Sequence, residues 1–274
     1  MKTLPPVFAN EGIVAMYRKW LDTMIGQMHN SVVHWVSAQY RTNPPLAQDA
    51  SPAMDLRKVL EELSRRWQAE FNDLAPIIAK KLADKWQKQT TSSFKNNVKS
   101  KVGMSVQFRM TREMNDILQA TVGENISLIK SIPSQYFTQV EGAVLRAAAE
   151  GRDLKTVLDI IGPKVDLTRI RMGRKPRESD RSYIARVRRR AAFIARDQAN
   201  KATSYMHTAR QLELGITEAT WMHSGAGKHP RPEHVAFSGQ TYDIKKGAYL
   251  EGRWTWPGVE PNCRCTSRPK LPWA

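Results

Sequence analysis

Apolar side chains return every three or four positions through most of the first 215 residues, and a chain of long helices is the arrangement that satisfies this period. From residue 11 to 41, Ile13, Met16, Trp20, Met24, Met28, Val32 and Trp35 share one face of a predicted helix. Asn43, Pro44 and Pro45 end it, because proline removes a donor and restrains the residue before it. Ser51 and Pro52 then read as an N-cap followed by proline at the first helical position. A second helix is predicted over 53–90 on Leu56, Leu60, Leu63, Trp67, Phe71, Leu74, Ile78, Leu82 and Trp86, with a kink or break at Pro76. Gly103 marks a turn. Further helices are expected over 111–132, interrupted at Pro133, then over 134–150 and 154–161, and from Ser182 to about Leu214 with Gly215 as the stop.

Beyond Gly215 the pattern changes. Residues 216–274 contain Trp221, Trp254, Trp256 and Trp273 among many glycines and prolines, with short apolar stretches at 216–222, 240–244 and 253–256 that read as strands. The predicted fold is mainly α: an elongated helical bundle followed by a small α+β C-terminal module. The expected segments are 1–163, a basic loop and helix at 164–215, and a Cys/His module at 216–274. A module this small is expected to need a metal or docking onto a neighbour.

Charge bears on partners. The chain carries 43 Lys and Arg against 26 Asp and Glu, a net charge of +17, which favours a polyanion. Residues 164–190 concentrate it, with eleven basic residues and three acids, a local net charge of +8. Arg169, Arg171, Arg174, Lys175, Arg177, Arg186, Arg188, Arg189 and Arg190 are therefore candidate contacts to the phosphates of double-stranded DNA, nonspecific and salt-sensitive. Tyr183 is the single aromatic there, so stacking on single-stranded bases is not favoured. A solvated basic face, or a site for an acidic patch on another protein, is the competing reading.

No stretch approaches the roughly 20 apolar residues of a membrane span. Residues 1–10 lack the basic region and apolar core of a secretory signal. The two cysteines, Cys263 and Cys265, are too few and too close for a disulfide framework. Synthesis in a reducing compartment is expected. In an extended segment both thiols face one side. His229 and His234 stand five apart, within the spacing of zinc-binding histidines. Two sulfurs and two imidazoles would complete a structural tetrahedral zinc site of His229, His234, Cys263 and Cys265, with His223 a rival fourth ligand. Free thiols packed beside tryptophan are the alternative.

The segments WMHSGAGKHPRPEHVAFSG (221–239) and WPGVEPNCRC (256–265), led by the helix that begins FIARDQANK (193–201), resemble the minor head proteins of tailed phages, the Mu F-like head morphogenesis family. Many members carry a histidine shortly before the first cysteine; here that region reads Val259, Glu260, Pro261, Asn262. The resemblance implies a non-enzymatic virion protein, associated with the portal protein and the capsid interior and needed for head assembly or DNA handling. Two alternatives stand beside it. One is a zinc-bearing, nonspecific nucleic-acid-binding protein. The other is a metal-dependent hydrolase or nuclease using His229, His234 and Asp243 with Glu233 as base, although no H-E-x-x-H or phosphate-cradling loop is present.

Overall fold

The structure, a computed structural model, describes residues 2–44, 51–174, 181–225 and 229–273. It is mainly α, with a small antiparallel sheet module at the C-terminal end. The helices are α1 (Glu11–Thr42), α2 (Ser51–Val102), α3 (Arg112–Ala149), α4 (Leu154–Ile161), α5 (Leu167–Arg171), α6 (Tyr183–Glu213) and α7 (Pro232–Ala236). The strands are β1 (Glu218–Met222), β2 (Thr241–Asp243), β3 (Ala248–Leu250), β4 (Arg253–Thr255) and β5 (Thr266–Pro269). The side chain of Ser51, the expected cap, and residues 175–180 of the expected loop lie outside the described residues.

Both internal prolines are tolerated. α2 runs past Pro76 and past the Thr90–Ser93 run, and α3 continues through Pro133. A proline in a helix interior costs about 3 kcal/mol. Around Pro76 the helix buries Phe71, Ala75, Ile78, Ala79 and Leu82, and each large apolar side chain contributes about 1.5–3 kcal/mol. A break would forfeit several such contacts, so the helix absorbs the lost hydrogen bond. On α1 the buried stripe is rotated from the expected one: Tyr17, Leu21, Met24, Ile25, Met28, Val32, Val36 and Tyr40 face inward. Trp35 is exposed, and Met16 and Trp20 are half-buried.

The chain groups into two compact units that cut across chain order. One contains Met1–Val14, Ala79–Glu124 and Ala195–Ala274; the other contains Ala15–Ile78 and Asn125–Ile194. In the first, β1 lies at the centre of a three-stranded antiparallel sheet ordered β2-β1-β5, with Thr220 opposite Thr241 and Arg268. The N-terminal residues lengthen the far edge, where Leu4 N–H donates to Pro269 and Leu271 N–H donates to Lys2. β3 and β4 form a separate hairpin. The core of this unit joins Leu4, Val7, Phe94 and Val98 to Ile216, Trp221, Tyr242, Ile244 and Leu271. The sheet module therefore gains its apolar cover from the N-terminal segment and the end of α2.

In the second unit, α4 occupies the predicted span and stops at Gly162, whose φ of 107° suits glycine; a Cβ there would sit 2.4 Å from Ile184. Nearby, His29 is fully buried. Its Nδ1 lies 2.7 Å from the Tyr136 hydroxyl, and its Nε2 lies 3.0 Å from the carbonyls of Gly162 and Pro163. The carbonyls only accept, so Nε2 carries the proton and Nδ1 accepts from Tyr136. The neutral ring satisfies every partner, and burial holds its pKa down to about 4. His207, buried in the first unit, is likewise held down, to about 3, by burial.

Both histidines are depressed in the folded state, so the unfolded chain binds more protons below its own histidine pKa of about 6.5. Stability is therefore present above that pH and is lost as pH falls. Between about pH 6.5 and 5 each histidine should remove about 2 kcal/mol. Thermal midpoints measured across this window should fall, and His29→Gln should flatten the slope. A flat profile would contradict the neutral buried rings.

Candidate metal centre and basic surface

The local sequence explains why Cys263 sits where it does. Glu260, Pro261, Asn262 and Cys263 form a turn in which Cys263 N–H donates to the Glu260 carbonyl at 2.9 Å. Proline presets the second position of a type II turn, and the third must take positive φ, which asparagine tolerates. Asn262 has φ 60°. Its backbone N–H donates to Asp197 Oδ1 at 2.6 Å, which ties the turn to α6. Asp197 is largely buried, and burial, offset in part by this hydrogen bond, raises its pKa. Gly258 approaches the same segment so closely that a Cβ would lie 3.0 Å from the Cys265 carbonyl oxygen, and its N–H donates to Cys263 Sγ at 3.4 Å.

Proline at the first position starts α7, which carries His234. His234 Nδ1 lies 3.5 Å from Cys263 Sγ and 3.9 Å from Cys265 Sγ. The three ligand atoms are all within 4.8 Å of one another, and all three residues are buried. Trp221 on β1 stands edge-on to the His234 ring, 5.0 Å between centroids. The two thiols are unequal. Cys265 donates a hydrogen bond towards Cys263 and holds it well below the usual thiol range. Cys265 is pushed up by that same bond, by burial and by the charge on its neighbour. One proton therefore bridges the two sulfurs here, and a bound cation would take its place and let both be thiolates. Zinc–sulfur and zinc–nitrogen bonds of about 2.3 and 2.0 Å place tetrahedral ligand atoms about 3.6 Å apart, close to the spacing here. The donor set of two sulfurs and one imidazole thus fits zinc.

Cys263, Cys265 and His234 line a cavity of about 320 Å³ together with His223, His229, Arg231, Asn262 and Arg264. His229 is exposed on that wall and outside the three-residue cluster. His223 accepts from Gly225 N–H through Nδ1, 3.1 Å. The other residues of the hydrolase reading are engaged elsewhere. Asp243 accepts from the N–H groups of Lys245 and Lys246 in its own turn. Glu233 accepts from Glu251 N–H. Residues 226–228, between His223 and His229, lie outside the described residues.

The basic residues divide. Arg171, Arg174, Arg186, Arg189 and Arg190 are exposed, and Arg169 is half-buried. Arg186 stacks on Tyr183, 4.0 Å from the ring centroid, and Arg190 reaches Ser131 Oγ at 3.3 Å. Lys175 and Arg177 lie outside the described residues. Arg188 departs from the expected DNA-contacting set: it is buried and donates to Asp22 at 3.1 Å. On α6 the position of Arg188 falls with Ile184 and Ala191 on the inward face, so its charge is neutralised inside the protein and does not face a phosphate.

Residues 138–268 match the family described as Phage Mu protein F like protein. The resemblance read from residues 193–268 therefore extends upstream into α3. An uncharacterized protein of Haemophilus influenzae is 26% identical over 97% of this chain and 55% of its own length, so the chain spans about half of that relative. No solved structure matches. Among the described residues, no helix is long and apolar enough to cross a membrane.

Proposed function

We propose, from the match of residues 138–268 to the Mu F-like family, that this chain is a minor structural protein of a tailed-phage head, made in the bacterial cytoplasm and carried in the virion. Its partners in this reading are the portal protein and the capsid interior. The single observation that carries it is the family match across α6 and the turn–sheet module as far as residue 268. Purified heads should contain the protein. Heads assembled from a genome lacking it should be fewer, or should fail to deliver DNA; normal and infectious heads would defeat the reading.

The module's metal is proposed to be structural zinc, held by His234, Cys263 and Cys265 with a fourth ligand from His229 or its rival His223. Bound zinc would join two segments about 30 residues apart, and its binding energy would become folding energy for the loops between them. Protein purified without added metal should hold close to one equivalent of zinc. Chelation should raise the solvent exposure of Trp221 and Trp256; Trp254 is already 56% exposed and cannot report. Less than about a tenth of an equivalent, with Trp221 still buried, would mean that packing alone holds the module.

A second reading, nonspecific contact with packaged DNA, is supported by five exposed arginines of the candidate set, Arg171, Arg174, Arg186, Arg189 and Arg190. Replacing Arg186, Arg189 and Arg190 with Ala should weaken duplex binding and reduce its log–log salt slope by about 0.9 for each lost phosphate contact. Arg188→Ala belongs outside this series, because it would remove the buried one of Asp22's two guanidinium partners and leave only Arg18, at 3.5 Å. Binding by the parent protein that is indifferent to salt would remove the reading.

A further inference from the structure

Behind the cysteine turn lies a second, smaller cavity of about 20 Å³. It is bounded by the N-terminal segment at Val7, Phe8 and Ala9, by α6 at Asn200, Thr203, Ser204 and His207, and by Arg264 to Ser267. Three buried nitrogens on its walls have no hydrogen-bond partner among the described residues: Asn200 Nδ2, His207 Nε2 and Arg264 Nε. His207 is 2% exposed. Buried polar atoms are almost always paired, so three orphans around one space point to an occupant.

The chemistry of the walls selects it. Asn200 Nδ2 and Arg264 Nε can only donate, and the guanidinium is permanently charged. The neutral His207 ring offers a third donor when its proton is on Nε2. Three of the lining hydroxyls are engaged with protein partners: Ser204 donates to the Pro257 carbonyl, Thr266 donates to the Val7 carbonyl, and Ser267 is paired with Tyr242. No Asp or Glu is among the lining residues. The volume exceeds the roughly 10–15 Å³ that one water-sized body requires.

We propose that this cavity binds one small monovalent anion of halide size, held by Asn200, His207 and Arg264. The anion neutralises the arginine that separates the two cysteines. It also fastens the Arg264–Ser267 segment to α6 and to the N-terminal segment. The site stands on these three donors and is independent of whether zinc is bound.

The test uses the full chain. Crystals grown in sodium bromide should show an anomalous peak within hydrogen-bonding reach of Asn200 and Arg264. In solution, chloride should raise the thermal midpoint by at least about 2 °C over gluconate at equal ionic strength. Asn200→Asp is nearly isosteric and places a carboxylate where the anion would sit. It should abolish both the bromide peak and the chloride effect while remaining folded in gluconate. Should Asn200→Asp fail to fold, the two measurements on the parent chain decide alone. An ordered water in place of bromide, or equal midpoints in chloride and gluconate, would overturn the proposal.

Discussion

The geometry of the cysteine–histidine site depends on one backbone hydrogen bond, from Asn262 N–H to the buried carboxylate of Asp197. A turn of Glu260, Pro261, Asn262 and Cys263 could form in an isolated peptide, but nothing local would fix its position. Asp197 supplies an acceptor on a rigid helix, and the short contact fixes the turn against α6. Cys263 and Cys265 follow within three residues, so their sulfurs are carried to within 3.5 and 3.9 Å of His234. Gly258 permits the approach of the chain from the other side. Remove the carboxylate, and the same ligands remain in the sequence without a common centre.

α6 repeats this device along its length. In one unit Arg188 is buried against Asp22. In the other, Asp197 holds the cysteine turn, and Arg210 donates to Thr91, to the Arg109 carbonyl and to Glu213. A buried guanidinium or carboxylate is costly unless paired, so each of these contacts specifies which segment must lie beside the helix. The basic character of α6 therefore has two physical meanings. Arg186, Arg189 and Arg190 add to the surface field, whereas Arg188 and Arg210 do not. Net charge alone cannot separate them, because it counts charges without their burial.

The helices were legible from period, and their ends less so. α1, α4 and α6 fall within a residue or two of their predicted spans because each stops at a strong local signal: Asn43 and Pro44, Gly162, or Gly215. Pro76 and Pro133 are equally strong local signals, yet both lie within helices. The difference is tertiary: apolar residues on both sides of each proline are buried, and their packing outweighs one missing donor. The inward face of α1 was displaced for a related reason. Trp20 and Trp35 are the largest apolar groups in their windows, but Tyr17 and His29 have polar atoms with partners waiting inside, Asn125 and Tyr136.

The sequence by itself determined the mainly α character, the change of architecture after Gly215, the family resemblance, and three of the residues at the candidate site. Periodicity, glycine and proline punctuation, and a short spaced motif are local properties, and local properties survive in one dimension. Tertiary structure alone decided that His234, buried on α7, lies against the sulfurs while His229 stands exposed on the cavity wall. It also decided that Asp197, Asn200 and His207, ordinary helix residues in sequence, stand beside Cys263 and Arg264. Residues more than 50 positions apart become neighbours only when buried polar groups and apolar cover are satisfied together, and no window of sequence contains that condition.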